Sequence, residues 1–357
     1  MNLRESLVAE IRQHGSMPFE VFQDRTLYDP DAGFFTTGAL RSVASGDFLT
    51  SPEVSPLFGE TLSAFVGAEW ARLGRPEQMD MVEVAAGSGS LSRALLGATS
   101  APLEPIMIEV SPAARAVLEE DLGNVRSELP PEINGVLLAN EFIDNLPVSL
   151  AVWEGTEWTE RWVGLDGDDL ALVSVAARSE VASWASQFGI PVEAGGIVEV
   201  QLAAGDWLRD ALGRLASGCL VLIDYGGTSE NLAPRRADGT LRTYRSHHHG
   251  PHPLSAPGET DITVDVNFSA LVDVATDFGF DVEMARQDDF LSAWGLRDRL
   301  SELRRKELAL AQGSNTMDRL VVRSQKTEAE TLLHPRGLGD FWVFVARRQN
   351  AEPRFEK

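Results

Sequence analysis

The stretch MDMVEVAAGSGSL (residues 79–91) decides the fold expected of this chain. An apolar run leads into a Gly-Ser-Gly turn, and a helix is predicted to begin directly after the turn. A second apolar run, IMIEVSP (residues 106–112), reaches the acid Glu109 about 20 residues further on. This order of strand, glycine turn, helix and acid-ended strand is typical of a nucleoside-cofactor site at the carboxyl edge of a parallel sheet.

Two glycines and one acid carry that interpretation. Because glycine has no Cβ, Gly87 and Gly89 would let the backbone lie against a bound cofactor. The carboxylate of Glu109 would accept hydrogen bonds from both ribose hydroxyls. A Gly-x-Gly alone is a weak signal, since tight turns between a strand and a helix occur in many kinds of enzyme. The position of Glu109 strengthens it.

The type of cofactor follows from what the turn lacks. A dinucleotide site prefers a third small residue where the helix packs on the strand, but Ser92 and Arg93 follow Leu91 here. Glu83 places a negative charge in the first strand, which would repel a pyrophosphate and suit the sulfonium or amino group of S-adenosylmethionine. Glu83 could instead be a strand-end carboxylate bonded to nearby amides. The sequence favours S-adenosylmethionine over a nicotinamide cofactor.

Composition sets outer limits on the class of protein. The 357 residues, 43% hydrophobic and 24% charged, are ordinary for a soluble globular protein of one large domain with insertions, or of two domains. No apolar stretch is long enough for membrane insertion, and the start MNLRESLVAE does not resemble a signal peptide. The single cysteine, Cys219, excludes an internal disulfide. We therefore expect a cytoplasmic protein.

The net charge of -23 argues against sequence-independent binding of nucleic acid, which depends on Lys and Arg contacts to phosphates. Negative clefts concentrate cations, so the charge favours a cationic substrate or partner. Solubility, or adaptation to a salty cytoplasm, explains the charge equally well. The charge thus supports a cationic substrate without deciding it.

The chain is predicted to form an α/β protein with a Rossmann-like sheet. Residues 148–176 change character, because short apolar runs broken by Glu-Gly and Asp-Gly predict antiparallel hairpins. Residues 228–262 are polar and punctuated by Gly and Pro, which predicts a functional or disordered loop. The expected segments are a helical, turn-rich cap (1–75), the cofactor-binding half of the core (76–147), an antiparallel insertion serving as a substrate lid (148–195), and the remaining core (196–350) with a substrate loop (228–263).

A second group of polar residues, NEFIDNLP (residues 140–147), directly follows the buried strand GVLLAN (residues 135–140). Its side chains should therefore lie at the carboxyl edge of the sheet. Asn140 offers a donor and an acceptor, and Glu141 and Asp144 offer carboxylates. A helix cap with two solvated acids would give the same pattern. We predict that these three residues are catalytic in methyl transfer, which needs an aligned acceptor and a group that manages its proton. If the acceptor is a guanidinium, it keeps its charge near neutrality and carboxylates must localise it.

Further acids follow strands or lie in the long loop, where they could hold such an acceptor. The predicted substrate-binding residues are Asp224, Tyr225, Arg245, Glu259 and Asp261. Four of the six histidines lie in YRSHHHGPH (residues 244–252), including His247–His249 and His252. Their spacing fits no closed zinc pattern and no cysteine is near, so we predict no metal and assign the segment to the substrate pocket.

Five motifs follow one another along the chain: LYDPDAGFF (27–35), GDFLTSPEVSPLFG (46–59), NEFIDNLP (140–147), IDYG (223–226) and PGETDIT (257–263). In this order they resemble the MidA family of S-adenosylmethionine-dependent methyltransferases, whose mitochondrial members act as protein-arginine methyltransferases in respiratory complex I assembly. The resemblance spans residues 19–345. It implies a class I methyltransferase sheet with helices on both faces, a terminal antiparallel hairpin, and cofactor binding through Glu83, Gly87, Gly89 and Glu109.

Three departures from the family pattern carry expectations. Ala85 stands where the family reads Gly, which predicts a turn that does not need a positive φ at this position. Asn267 replaces an Asp and removes a carboxylate. Residues 124–131 are short for a full third strand, so that strand is expected to be stunted.

The resemblance and the charge together predict a protein substrate that presents an arginine. The loop 244–263 would hold this protein and the insertion 148–176 would cover it; a homodimer is possible. Two other readings stay open: an assembly chaperone that keeps the fold, and a nicotinamide oxidoreductase. The missing third glycine and Glu83 disfavour the last.

Overall fold

The computed structural model describes residues 2–37, 50–245, 248–311 and 316–348. Residues 46–49 of the second family motif and His247 of the histidine cluster lie outside the described residues. The helices that the structure describes are α1 (Leu3–His14), α2 (Phe19–Tyr28), α3 (Ser51–Val54), α4 (Leu57–Arg72), α5 (Ser90–Ala98), α6 (Pro112–Asp121), α7 (Ser179–Phe188), α8 (Leu202–Arg214), α9 (Ser229–Leu232), α10 (Phe268–Asp277), α11 (Gln287–Ala293), α12 (Leu296–Leu310) and α13 (Thr316–Leu332).

Short 3-10 turns cover Ile143–Asn145, Ala233–Arg235 and Leu338–Asp340. The strands in the same part of the chain are β1 (Met17–Pro18), β2 (Met79–Val84), β3 (Leu103–Ile108), β4 (Val125–Arg126), β5 (Ile133–Asn140), β6 (Ser149–Trp153), β7 (Trp158–Asp166), β8 (Asp169–Ala176), β9 (Ile197–Val200), β10 (Leu215–Asp224), β11 (Gly226–Gly227), β12 (Arg242–Arg245), β13 (His248–His249), β14 (Asp261–Thr263), β15 (Val266–Asn267), β16 (Phe280–Arg286) and β17 (Trp342–Arg348).

A seven-stranded sheet in the order β16-β17-β10-β5-β2-β3-β4 forms the centre of the protein. The five strands from β10 to β4 are parallel, and β17 runs antiparallel to both β10 and β16. This confirms the predicted α/β sheet and its antiparallel end, although α11, α12 and α13 separate the two last strands in the chain. As expected, β4 is stunted, at two residues.

The sheet is buried on both faces, which explains why its strands are nearly continuous apolar runs. One face packs on α4, α5, α12 and α13, and the other packs on α8 and α10. With helices on both sides, polar side chains reach solvent and ligands mainly at the strand ends. The carboxyl ends of β2, β3, β5 and β10 are therefore where a site can form.

The predicted antiparallel insertion is present as β6, β7 and β8. The N-terminal β1 pairs with β7, and β9 pairs with β6, so the second sheet draws on segments beyond 148–195. The guanidinium of Arg178 lies 2.5 Å from Glu20 of α2 and 2.6 Å from Glu160 of β7. Since Glu160 is buried, this ion pair attaches the N-terminal helices firmly to the insertion.

The described residues within 228–263 form more regular secondary structure than the sequence suggested. They contain α9 and a small sheet in which β12 pairs with both β13 and β14. Asp265, just after this segment, is buried and forms ion pairs with Arg235 and Arg242. The segment is polar because its charged residues form such ion pairs and because turns connect its short strands.

Candidate active site

The turn after β2 uses three residues with positive φ. The angles are 52° at Ala85, 54° at Gly87 and 80° at Gly89. The expectation that residue 85 does not need a positive φ is therefore wrong. An L-residue in this region places its Cβ close to the following carbonyl oxygen, at a cost of roughly 1–2 kcal/mol. The family glycine at this position removes that cost.

We expect Ala85→Gly to stabilise the protein by about 1 kcal/mol, because relief of the left-handed strain exceeds the added entropy of the unfolded chain. Urea unfolding followed by circular dichroism measures the change. Ala85→Val should change stability in the opposite direction, since a β-branched residue tolerates positive φ poorly. A loss of stability in the glycine variant would show that the backbone at residue 85 is not strained.

Glu109 lies against the glycine turn. Its Oε2 accepts a hydrogen bond from the Gly87 N–H at 2.9 Å, and its Oε1 accepts one from the Ser111 N–H at 2.8 Å. Each carboxylate oxygen can accept a further bond, so a ribose diol still finds acceptors here. Gly89 is placed differently: a Cβ there would lie 2.7 Å from Leu118 Cδ2, so its glycine lets α5 pack on α6.

A cavity of about 720 Å³ opens at the carboxyl ends of β2, β3 and β5. Its wall includes the glycine turn, Glu109 and the side chains of Asn140, Phe142 and Trp207, with Phe142 and Trp207 in edge contact at 4.9 Å between ring centroids. The volume suits a nucleoside-sized ligand. Its ionisable lining is acidic apart from Arg214; the acids are Asp24, Glu53, Glu83, Glu109, Glu128, Glu141 and Asp210. Such a cavity favours a positively charged ligand.

Glu83 borders this cavity but is only 5% exposed. Its carboxylate accepts a hydrogen bond from the Ser92 hydroxyl. Burial raises the pKa of Glu83 to about 7, and the Ser92 hydrogen bond opposes part of that rise. Near neutrality this acid is therefore poised to lose its proton when a cation approaches. Glu83 therefore combines the two alternatives drawn from the sequence, because it is hydrogen-bonded locally and also borders the cavity.

A second, smaller cavity of about 340 Å³ lies next to the first, and Glu141 and Asn145 border both. Tyr225, Arg242 and Asp261 are among the residues of its wall. The smaller cavity is held between the end of β10, the β12–β14 sheet and the 3-10 turn at Leu338–Asp340. Two adjoining cavities that share a carboxylate can hold a donor and an acceptor side by side.

Glu141 occupies the boundary with a strained backbone, at φ 51°. Its Oε1 accepts hydrogen bonds from the Ser51 N–H at 3.1 Å and from the Asn140 side-chain amide at 3.2 Å. Burial, together with the charge of Asp144, raises the pKa of Glu141 to about 8. Strained non-glycine residues with perturbed pKa values concentrate at functional sites.

Asp144 is buried next to Glu141, and its Oδ2 accepts a hydrogen bond from the Tyr225 hydroxyl. Burial also raises the pKa of Asp144, against the opposing effects of Tyr225 and Arg242. Its Oδ1 and the Oδ1 of Asn140 are buried without a hydrogen-bond partner among the described residues. Buried acceptors that lack a donor are rare, and here they lie beside two cavities. These acids are not the solvated pair of a simple helix cap.

The remaining predicted substrate residues fall into three groups. Tyr225 and Asp261 border the smaller cavity, and Asn145 donates to Asp261 at 2.7 Å. Asp224 is buried away from both cavities, and its oxygens accept from backbone amides, including that of Ile143 at 3.0 Å. Asp224 thus shapes the NEFIDNLP loop rather than contacting a ligand.

Arg245 and Glu259 form a third group, outside both cavities. They make an ion pair at 3.1 Å in which both side chains are more than half exposed. Surface ion pairs of this kind contribute little to stability. The structure therefore does not bring this pair to the acids of the NEFIDNLP loop.

The histidine cluster also lies at the surface. His248 and His249 are exposed on β13, and the His249 ring stacks on Tyr244 at 5.3 Å. In the part of the chain that the structure describes, no three metal-ligating side chains gather in one place.

Sequence reasoning missed several residues of the site. Glu53 accepts hydrogen bonds from Ser88 and, at 2.7 Å, from Ser90, which ties α3 to the glycine turn. Glu53 lies in the second family motif, but the residues around it do not indicate this contact with the glycine turn. Arg242 stands 5.3 Å from the Tyr225 ring centroid and pairs with Asp265. No local pattern marks Arg242, because its role depends on contacts between distant segments.

Comparison with known proteins bears on the chemistry. A model of the family described as "Putative S-adenosyl-L-methionine-dependent methyltransferase" matches residues 61–285. The protein arginine methyltransferase NDUFAF7 of Danio rerio mitochondria is 26% identical over 97% of this chain and 86% of its own length. The Mus musculus protein of the same name is 28% identical over 83% of this chain and 75% of its own.

A solved structure agrees in fold as well. A Burkholderia thailandensis protein crystallised with S-adenosyl-homocysteine is 30% identical, with a TM-score of 0.86 over 97% of this chain and 92% of that one. The cofactor is therefore S-adenosylmethionine, as the glycine turn and Glu83 predicted. The expected cytoplasmic location is wrong by these comparisons, because the curated relatives are named as mitochondrial. Among the described helices, none is both long enough and apolar enough to cross a bilayer.

Proposed function

Because the chain belongs to this S-adenosylmethionine-dependent methyltransferase family, we propose that it methylates an arginine side chain of a partner protein. The names of the NDUFAF7 relatives motivate the choice of arginine. The observation that carries the proposal is the set of acceptors at the boundary between the cavities. Glu141 borders both cavities, Asn140 borders the larger and Asp144 the smaller, and one oxygen each of Asn140 and Asp144 has no donor among the described residues.

Three residues of the larger cavity would hold the cofactor. The Gly87 turn gives close backbone approach, Glu109 offers acceptors for the ribose, and Glu83 offers a charge opposite to that of the methionine end. When bound, S-adenosylmethionine supplies an electrophilic methyl group on a sulfonium. The acidic lining is what a cationic cofactor needs, and the smaller cavity then remains for the methyl acceptor.

A guanidinium fits the acceptors at the boundary because it carries five N–H donors and no acceptor. Carboxylates on one side of it localise its charge and leave one nitrogen facing the larger cavity. Asp144 Oδ1 and Asn140 Oδ1, for which the described part of the chain offers no donor, would accept from it. Tyr225 would hold Asp144 in place through its hydroxyl.

Methylation of a guanidinium nitrogen releases a proton, and Glu141 is suited to take it. The pKa of Glu141 is raised to about 8 in the free protein, so this acid holds a proton readily near neutrality. A guanidinium bound beside it would lower that pKa and favour the carboxylate before transfer. After product release the raised pKa keeps this proton on Glu141, and the proton leaves to solvent when the next guanidinium binds and lowers the pKa again.

The acceptor can be identified by incubating the protein with S-adenosylmethionine carrying a heavy methyl group and a cell lysate, followed by mass spectrometry of digested proteins. We expect the heavy methyl on an arginine nitrogen of one or a few proteins. Glu141→Gln in the same assay is the control, and it should leave those arginines largely unlabelled. Label on a metabolite, a lysine or a carboxylate would contradict the proposal and leave only the methyltransferase activity.

A further inference from the structure

The helical hairpin of α12 (Leu296–Leu310) and α13 (Thr316–Leu332), called the α12–α13 arm below, carries an unusual surface. The two helices run antiparallel, joined by ion pairs between Glu307 and Lys326 at 2.7 Å and between Arg304 and Glu330 at 2.9 Å. The described residues near its tip expose large apolar side chains at 53–70%: Leu308, Met317, Leu320 and Val321. The last three are spaced to lie on one helical face.

The charge of the same tip is opposite to that of the molecule. The chain has 31 basic and 54 acidic residues, but residues 304–326 contain six basic and only two acidic ones. Arg305 and Lys306 form no salt bridge within the described residues, whereas Lys326, Arg323 and Arg319 all lower the pKa of Glu307. An apolar patch bordered by an excess of cations, on a strongly acidic protein, is typical of a protein interaction site.

The arm also has a fixed relation to the smaller cavity. α13 ends at Leu332, and Arg336, Gly337, Asp340 and Phe341, just beyond it, border that cavity. A helix of 17 residues is about 25 Å long, so the tip stands about that distance from the cavity wall. A folded protein held at the tip can therefore still reach the cavity with a protruding segment.

We propose that the tip of the α12–α13 arm docks the methyl-accepting protein through an apolar patch surrounded by acidic residues on that protein. The proposal rests on the proposed function, because it names the surface by which the same site recognises its substrate. A second copy of this chain is the competing occupant, because the acidic surface of one copy would attract the basic tip of another. The position of the arm beside the smaller cavity favours the methyl-accepting protein, and the oligomeric state of the arm variants distinguishes the two occupants.

The test compares a folded acceptor with its fragments. The acceptor is the protein that wild-type enzyme labels in the lysate assay, used folded and as peptides from glutamyl-endopeptidase digestion. The apolar variant is Met317→Ser with Leu320→Ser and Val321→Ser, and the charge variant is Arg305→Glu with Lys306→Glu and Arg319→Glu. The matched control, Ile190→Ser with Phe278→Ser, removes exposed apolar side chains elsewhere; these are 56% and 45% exposed in the structure.

For both arm variants we expect kcat/KM on the folded acceptor to fall about 10-fold or more, mainly through KM, with peptide methylation within about 2-fold of wild type. For the charge variant, kcat/KM on the folded acceptor should also depend much less on salt concentration than it does for wild type. The control should match wild type on both substrates.

Three results would overturn the docking site while leaving the proposed function intact. The first is that the arm variants methylate the folded acceptor as fast as wild type. The second is that they lose as much kcat/KM on the peptides as on the folded acceptor. The third is that wild type sediments as a dimer and the arm variants sediment as monomers. The absence of label on any protein with wild-type enzyme would refute the proposed function itself, and docking with it.

Discussion

Glu141→Gln is expected to lower turnover by roughly 100-fold or more, with little change in affinity for S-adenosylmethionine. In the proposed function, the carboxylate at the boundary of the two cavities would both attract the guanidinium and take its proton, and an amide would do neither. Asp144→Asn should have a comparable effect, because it would remove the second charge that is proposed to localise the guanidinium. Single-turnover kinetics with the labelled acceptor, beside calorimetry with the cofactor, separate these two properties.

The raised pKa of Glu141 also predicts how the stability of the free protein changes with pH, which can be measured independently of activity. An acid whose pKa rises on folding contributes stability below its unfolded pKa and loses it as the pH rises through the folded value. For Glu141 that window runs from the ordinary value of 4.5 to about 8. Glu141→Gln should therefore be more stable than wild type at pH 8.5, by roughly 1–3 kcal/mol, and close to it at pH 4.5.

Wild-type turnover in both Glu141→Gln and Asp144→Asn would show that the NEFIDNLP loop has a structural role only. Conversely, if Glu141→Gln gains stability at high pH and keeps wild-type turnover, then Glu141 has a raised pKa but takes no part in the reaction. A wild-type protein that labels no acceptor, yet still binds the cofactor, would fit an assembly role for the retained fold.

Gly87→Val is expected to weaken S-adenosylmethionine binding by at least about 100-fold while the protein stays folded. Gly87 has φ 54°, borders the larger cavity and donates its N–H to Glu109. A valine at this φ either shifts the turn or places a branched side chain in the cavity wall. Either change disturbs the acceptors that the ribose needs. Isothermal calorimetry measures the affinity directly.

Gly167 provides a matched control for that variant. It has φ 63° in the turn between β7 and β8, and a Cβ there would meet no atom within 4 Å. Gly167→Val therefore imposes similar backbone strain far from the cavity, and it should keep wild-type affinity. Undiminished cofactor binding by Gly87→Val, or binding of NADH by the wild-type protein, would remove the glycine turn from the cofactor site.

The sequence predicted the parts of this protein that depend on local patterns. Apolar runs bounded by turn residues located β2, β3 and β5, because strands buried on both faces must be apolar. The glycine turn and Glu109 were recognisable since a strand, a tight turn and a helix leave a local signature. Even the stunted β4 could be read from the short segment available to it.

The errors concern contacts between distant segments and backbone angles. Ala85 looked compatible with an ordinary turn, yet its φ of 52° is imposed by the path from β2 to α5. Asp224 had the residue type and position of a ligand, but the amides of Ile143 and Asp144 use its carboxylate. Arg242 and Asp265 meet only after β12 folds onto its neighbours. Neither the side-chain direction nor the partner can be read from spacing alone.

The position of β17 has a consequence for how this protein is made. β17 lies between β10 and β16, although it is the last strand described in the chain. During synthesis, β10 therefore waits with one hydrogen-bonding edge open until Trp342–Arg348 leaves the ribosome. This edge would stay open to chaperones and to other chains while residues 225–341 are synthesised. Nascent chains stalled before Trp342 are thus the form of this protein most prone to aggregate.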